Sequence, residues 1–400
     1  MSTGAPSLSQ KTIHGDRLLD FQLSVLVDCR LMYYRKAGVS YYTRRLVGAL
    51  AALRNANFRL RILLDRRDGD LGWVPGNVGI VRAITPAHHR YEHLALPVEL
   101  LSLGVLRSPR SVLHSPDFIT CHGRFRKVIT IHDLYFMEHP EVMSADGKRY
   151  YDRIRWSAST ADRIITVSHF TRGDILRLMP EIAPEKVVVV HEAADQKQTG
   201  ESERGRGVLS RLPIVNRRFI LFVGTLEPRK NLSTLLRALA RLPDDVCLVV
   251  VGALGWRDEA PGDVARELGV ADRVAFAGWV SDDDLDVLYR QARLLVMPSL
   301  SEGFGLPVLE AMSRGTPVVC SGAGSLPEIV ADAALLHAPM DDAELAQHIQ
   351  ALWTDDLLHA EYARRGLARA EQFSWARAAR ETLEVYRAAA TYTAHKVGHY

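Results

Sequence analysis

The sequence predicts an α/β protein of two doubly wound domains facing each other across a cleft. Three observations predict it. The chain has 400 residues, about twice what one compact core usually holds. Short β-branched runs alternate with stretches of helical apolar spacing, the pattern of parallel sheets with helices on both faces. The alternation breaks once, at a polar, charged, glycine-containing run from Asp195 to Pro213, and then starts again in the same style.

The elements follow in order. Residues 1–20 are polar, lack the apolar stretch of a signal peptide, and read as a flexible tail. "LSVLVDCR", from Leu23 to Arg30, is an apolar run ending in turn-prone residues, hence a buried strand. "VSYYTRRLVGALAAL" has helical spacing, and "FRLRILLD" alternates like a strand. "SVLHS", "KVITIHD", "RIITVS" and "KVVVVHEA" are further strands with helical stretches between them. This half spans 21–200, with a linker at 201–217. The second series, 218–375, opens with the strand "RFILFVG" and the helix "NLSTLLRALARL", for which Asn231 is the expected N-cap. Strands "VCLVVVG", "RVAFAGWV", "RLLVMPS", "PVVCSG" and "AALLHAP" alternate with helices at "DDDLDVLYRQA" and "PVLEAMSR". Helices close the chain from about Asp341 to Ala390.

Composition narrows the function. The content is 47% hydrophobic and 24% charged, ordinary for a globular protein. With 50 basic and 47 acidic residues, the chain lacks the basic excess of a nucleic-acid binder. Cys29, Cys121, Cys247 and Cys320 are far apart and show no CxxC spacing, so buried reduced thiols are expected rather than disulfides or zinc ligands. No apolar run approaches the roughly 18 residues that cross a bilayer. A soluble cytoplasmic protein is the expectation.

Ligands of open parallel sheets bind beyond the carboxyl ends of the strands. In the second half three loops stand there. "GTLEPRKN", Gly224 to Asn231, leaves a strand and enters a helix. Arg229 and Lys230 therefore lie where N–H groups and the helix dipole already favour an anion, and a phosphate site competes with plain surface charge. "SEGFGLPVLEAM", Ser301 to Met312, has Gly303 and Gly305 for close backbone approach, Pro307 for a helix start, and Gly315 beyond it for a helix stop. Glu310, one turn into that helix, suits a ribose diol. Glu302, at the strand end, suits sugar hydroxyls, or is an ordinary acid favoured by the helix dipole. "SGAGSLPEIV", Ser321 to Val330, is read equally as a simple turn and as a ligand loop.

The run from Pro298 to Val330, with Glu302 and Glu310 separated by seven residues, closely resembles the signature of retaining glycosyltransferases of family 4, the glycogen-synthase-like group. "GTLEPRKNL" resembles the same family's phosphate-binding loop. Together they cover most of 218–340. "KAGVSYYTRRL", "TIHDL" and "ADRIITVSHFTRGDIL" match more loosely in the first half. The resemblance implies a GT-B architecture, two Rossmann-like domains with the last helix, 376–400, returning to the first. It implies transfer of a sugar from a nucleotide donor with retention. Arg229 and Lys230 would hold the diphosphate, next to Gly224 and Thr225. Glu302 and the backbone of Gly303, Phe304, Gly305 and Leu306 would hold the donor sugar and β-phosphate. Glu310 would bind the ribose, and the base would sit near Val280. Many members carry arginine where this chain has Thr225, which puts more of the phosphate load on Arg229 and Lys230. His132 and Asp133 match the pair that lies against the transferred sugar, and Gly38 matches a glycine loop near the donor phosphates.

Tyr33, Tyr34, Tyr41 and Tyr42 with Arg35, Lys36, Arg44 and Arg45 form a basic aromatic segment. It is read equally as a contact to a lipid-linked acceptor or the inner membrane face and as a solvated helix face with buried tyrosines. "SDDDLDVLY" offers DxD spacing at Asp282, Asp284 and Asp286, but a helix start explains it, and no catalytic metal or other cofactor is expected. Expected partners are a nucleotide-diphosphate sugar, first GDP-mannose, and a glycan or lipid-linked acceptor. The alternatives are a UDP-sugar donor, a nucleotide-sugar epimerase, or a non-catalytic carbohydrate-binding relative.

Overall fold

A computed structural model describes residues 23–34, 38–54, 57–142, 151–195, 206–212, 218–253, 255 and 261–391. The expected tail at 1–20, Arg35, Lys36, the linker residues 201–205 and 213–217, and the end from 392 lie outside the described residues.

The first domain runs β1 (Leu23–Asp28), α1 (Gly38–Ala51), β2 (Phe58–Asp65), β3 (Gly79–Ala83), α2 (Glu92–Ser102), β4 (Val112–Ser115), β5 (Arg126–Ile131), α3 (Tyr135–Glu138), α4 (Ile154–Thr160), β6 (Arg163–Thr166), α5 (His169–Leu178) and β7 (Val187–Val189). A short helix, α6 (Arg206–Arg211), stands inside the stretch read as linker, where Leu212 is buried in the second domain's core. The second domain runs β8 (Phe219–Val223), α7 (Leu232–Ala240), β9 (Cys247–Val251), α8 (Pro261–Glu267), β10 (Val274–Gly278), α9 (Asp282–Gln291), β11 (Leu294–Met297), α10 (Leu306–Met312), β12 (Val318–Ser321), α11 (Leu326–Val330), β13 (Leu335–His337), α12 (Asp342–Thr354), α13 (Asp356–Ala370) and α14 (Trp375–Thr391).

Both sheets are parallel. Their orders are β3-β2-β1-β4-β5-β6-β7 and β10-β9-β8-β11-β12-β13. Each is the doubly wound order whose direction reverses beside its first strand, so two Rossmann-like domains are present, as expected of GT-B. The β-branched runs are buried because both faces of each sheet are covered. In β1, Val25 and Val27 pack toward α1 and α14, and Leu26 packs toward α2. In β9, Cys247, Val249 and Val251 pack with α9 and α10, while Leu248 and Val250 pack with α7 and α12. The side-chain period of two sends alternate residues to opposite cores.

Helix α14 leaves the second domain and packs on the first. Leu383, Val385, Tyr386 and several alanines join Val25, Tyr42 and Leu46 in one core. All four cysteines are buried and free. Among the described residues no helix is long and apolar enough to cross a membrane.

Asn231 stands at the start of α7 but does not cap it with its side chain. Its backbone is left-handed, φ 55°, and its amide donates to the carbonyls of Pro298 (3.0 Å) and Pro339 (2.7 Å). The residue ties three loops together instead of satisfying the helix end.

Candidate active site

The loops that leave the two reversal points open toward each other, and between them lies a cleft of about 480 Å³. One wall comes from the first domain: Gly38 and Tyr41 on the first turn of α1, and His132 and Asp133 after β5. The other comes from the second: Arg229 and Lys230 before α7, and Glu302 to Leu306 with Glu310 around the start of α10. The structure thus brings together most of the residues singled out from the sequence. Gly224, Thr225 and Val280 are not among those lining the cleft. Gly224 acts one layer down: the stem of Lys230 crosses it, with Cε 3.5 Å from where a Cβ would stand.

Glu302 is buried. Its carboxylate accepts from Lys230 Nζ (2.6 Å), Ser299 Oγ (2.6 Å) and Arg229 Nη1 (3.2 Å). Burial pushes the carboxyl up, but Lys230 and Arg229 outweigh it and hold it at about 2. A nearby pair of cations stabilises the charged form more than desolvation opposes it. Arg229 also pairs with Glu227 at 2.7 Å and donates to the Ser301 carbonyl. The sequence placed the two cations on a diphosphate and the acid on a sugar; here they hold each other.

Two glycines let the loop take this path. A Cβ on Gly303 would lie 2.0 Å from the His132 carbonyl oxygen, so only glycine permits the two domains to touch there. Gly305 has φ 97° and turns the chain into α10. The Phe304 ring packs 6.0 Å from Phe373 and 6.2 Å from His191, centroid to centroid. Glu310 accepts from the Tyr289 hydroxyl at 2.8 Å, and burial raises its carboxyl above the usual range.

His132 has both ring nitrogens occupied. Nδ1 meets Glu192 Oε1 at 3.1 Å, and Nε2 meets the Pro116 carbonyl at 2.9 Å. An ionised carboxylate and a carbonyl can only accept, so the doubly protonated ring satisfies both. Burial acts against that charge, yet Glu192, the Pro116 carbonyl and Asp133 raise the pKa. The ring also stands edge-on to Tyr42, 4.8 Å away. Behind it runs a buried polar chain: Tyr42 to Thr130 (3.3 Å), Thr130 to His114 (2.9 Å), and His114 to Tyr386 on α14 (2.7 Å). Burial and the neighbouring His132 hold the His114 imidazole down to about 3.

Several participants had no sequence signal beyond their type. Ser299 orients Glu302 from three residues away, while Glu192 and Tyr289 reach His132 and Glu310 from farther along the chain. Thr171 Oγ1 lies 3.3 Å from both the His132 and Gly303 carbonyls, one in each domain. The glycine loop before α11 lines no part of the cleft; Ser325 donates its N–H to the Glu302 carbonyl (3.0 Å) and so buttresses the neighbouring loop. Glu328, on α11, crosses to the first domain. It accepts from the His169 and Phe170 N–H groups (3.0 and 3.2 Å) and meets His191 Nε2 at 2.7 Å. His169, His191 and Glu328 hold their ligand atoms within 4.8 Å of one another, but with Glu328 committed to these donors the group is a clamp between domains.

The basic aromatic segment does not form one surface. Tyr42 is buried in the core, and Tyr41 lines the cleft beside Arg45, which pairs with Asp195. Tyr33 and Tyr34 lie on the surface under Arg67. In α9, Ser281 caps the helix, accepting from Asp284 N, and Asp286 pairs with Arg290 and Arg314.

Comparison with known proteins agrees with this geometry. Residues 37–198 match the family described as "Glycosyltransferase Family 4", and residues 210–369 match "Glycosyl transferases group 1". The O-antigen chain mannosyltransferase B of Escherichia coli is 36% identical over 282 residues, 69% of this chain and 74% of that protein. The serotype-specific mannosyltransferase WbdA of Escherichia coli is 28% identical over 272 residues, 65% of this chain but only 33% of WbdA. The alpha-maltose-1-phosphate synthase of Mycolicibacterium smegmatis is 33% identical over 252 residues, 58% of this chain and 65% of that protein. Among solved structures, sucrose-phosphate synthase from Thermosynechococcus elongatus superposes with a TM-score of 0.72 at 23% identity, covering 92% of this chain and 98% of that one. WaaG, a glycosyltransferase of lipopolysaccharide biosynthesis, gives 0.68 at 18%, covering 91% and 99%. At these identities the two superpositions speak for the fold.

Proposed function

Since the chain belongs to the family 4 glycosyltransferases, we propose that it moves a mannosyl group from GDP-mannose, with retention, to a hydroxyl of a growing glycan or lipid-linked saccharide. The observation that carries this is the cleft itself. Lys230, Arg229 and Glu302 of one domain stand opposite His132 and Asp133 of the other. The choice of mannose is supported by the likeness to the O-antigen chain mannosyltransferase.

In the proposed step the bond from the anomeric carbon to the diphosphate breaks. A bond to the acceptor oxygen forms on the same face, and the acceptor proton passes to a phosphate oxygen. Arg229 and Lys230 meet the negative charge that grows on the leaving group, in a cleft where fixed donors act strongly. Glu302, held at about 2 by its two cations, is a weak base and a weak nucleophile. That favours a positioning role on the sugar and on the cations themselves. The protonated His132 ring supplies fixed positive charge on the far wall. Asp286 is tied to two arginines, which supports a reaction that needs no divalent cation. The four free buried thiols support work in a reducing compartment.

A UDP-sugar donor is the second reading, favoured by a fold neighbour, HepE of Anabaena, that was solved with UDP and with UDP-glucose. Thermal unfolding with GDP, UDP, ADP and NAD, each with and without a chelator, separates the two. A ligand at a hundred times its Kd adds roughly 2.7 kcal/mol, on the order of 5–10 °C for a domain of this size. A chelator-resistant shift with GDP, followed by turnover of GDP-mannose, is expected. A shift with UDP alone would move the donor to the second reading, and no shift with any nucleotide would overturn both.

A further inference from the structure

Tyr41 stands on the first turn of α1, in the first domain's wall of the cleft, and Glu310 stands on α10, in the wall of the second. The Tyr41 hydroxyl is shut away from solvent and has no hydrogen-bond partner. Glu310 is half satisfied. Tyr289 donates to its Oε2 at 2.8 Å, and among the described residues no donor holds Oε1.

A buried hydroxyl without an acceptor is costly, and native structures rarely leave one without a reason. Nor is this hydroxyl alone. The Arg45 guanidinium stands 5.2 Å from the centre of the Tyr41 ring, and its Nε is buried without an acceptor as well, although Nη2 pairs with Asp195. Two donors of the first domain thus gather where the protein offers them no acceptor. Burial, and after it the charge of Glu310, pushes the Tyr41 phenol well above its usual range. The phenol therefore keeps its proton and can donate it.

A group that fits between a donor and a carboxylate must accept from one and donate to the other. A hydroxyl does both: a lone pair takes the Tyr41 proton and its own proton goes to Glu310. A phosphate oxygen would accept from Tyr41 but would meet the like charge of Glu310. We propose that Tyr41 reads the ribose of the donor nucleotide, so that the diol is held from both domains, by Glu310 on one side and Tyr41 on the other. This rests on the transferase reading, which puts a ribose at Glu310. It adds a contact from the first domain and a preference for ribose over deoxyribose. Tyr41 touches no reacting atom in this arrangement; it sets specificity and position.

The test is calorimetric titration of the full chain and of Tyr41→Phe with GDP and with two analogues, each lacking one ribose hydroxyl. UDP and its analogues replace them if UDP is the nucleotide that binds. Wild type should bind at least one analogue about tenfold more weakly than the parent, since the groups that met the hydroxyl are left unpaired. Tyr41→Phe should bind the parent about threefold to tenfold more weakly, and its preference for the parent should shrink by the same factor. In turnover that loss should fall on KM, with kcat kept. The Tm of the free variant should stay level or rise, because the change removes an unsatisfied hydroxyl and keeps the ring. A variant that keeps both the parent affinity and the full preference overturns the proposal and leaves the hydroxyl to a bound water. Wild-type protein that binds both analogues as tightly as the parent overturns it too. If no ribonucleotide binds at all, the transferase reading and the ribose contact fall together. If one binds and the preference does not move in Tyr41→Phe, only the ribose contact falls.

Discussion

Glu302 shows what one side chain can be asked to do. Its carboxyl sits near 2 instead of the usual 4.5, so it stabilises the fold at neutral pH. A depressed pKa contributes stability that is complete above the unfolded value and lost as pH falls through the folded one. Here that window runs from about 4.5 down to about 2, and the linkage is on the order of 3 kcal/mol. Glu302→Gln should therefore flatten the acid side of the stability curve, lower Tm at pH 7, and abolish most turnover while the circular dichroism stays native. Near-normal turnover would remove Glu302 from the site. His132 has the opposite sign. Its raised pKa makes the charged ring part of the folded state, so its contribution is complete below the unfolded value and fades as pH rises through the folded one. Titrating the His132 ring by NMR should show a midpoint above 6.5 that falls in a Glu192→Gln variant. The sequence marked Glu302, Arg229 and Lys230 by residue type and by their place at strand ends. That they pair with each other across 72 positions was not legible, because a side chain's partner is set by how loops approach in space.

At the scale of elements the strands were legible for a simple reason. Parallel strands buried on both faces must be continuous apolar runs, and "CLVVV" and "FILFV" are such runs. Glycines were legible as loop markers but not in what they permit. Gly303→Ala would drive a Cβ into the His132 carbonyl and should cost fold stability and turnover together. Gly38 has nothing within 4 Å of its added Cβ, so Gly38→Ala should leave Tm unchanged. Any loss of turnover in that variant would then report a ligand close to the backbone there. Comparing Tm and turnover for the two variants checks both expectations. Helix α2 was less legible, because an apolar residue of "EHLALPVELLS" looks the same in sequence whether it faces a sheet or the outside.

At the scale of the molecule, α14 binds the second domain's chain end into the first domain's core. Ending the chain at Ser374 should strip Leu383, Val385 and Tyr386 from that core and leave the first domain unable to fold, read as lost cooperative unfolding and aggregation. A gentler probe is Tyr386→Phe. It leaves the buried His114 Nδ1 without its partner, at a cost of about 1–3 kcal/mol in stability, and the GDP-induced Tm shift should persist. The seam between the domains has a further property. Thr171 has one proton and two carbonyls to give it to, one on each lobe at the same distance. It can satisfy only one of them at a time. If the lobes part, the hydroxyl keeps a full bond to the lobe it stays with, and the carbonyl left behind meets water. Separation at this point therefore breaks no net hydrogen bond, and the resistance to opening falls instead on the Glu328 clamp, whose three bonds to the first domain must be exchanged for water.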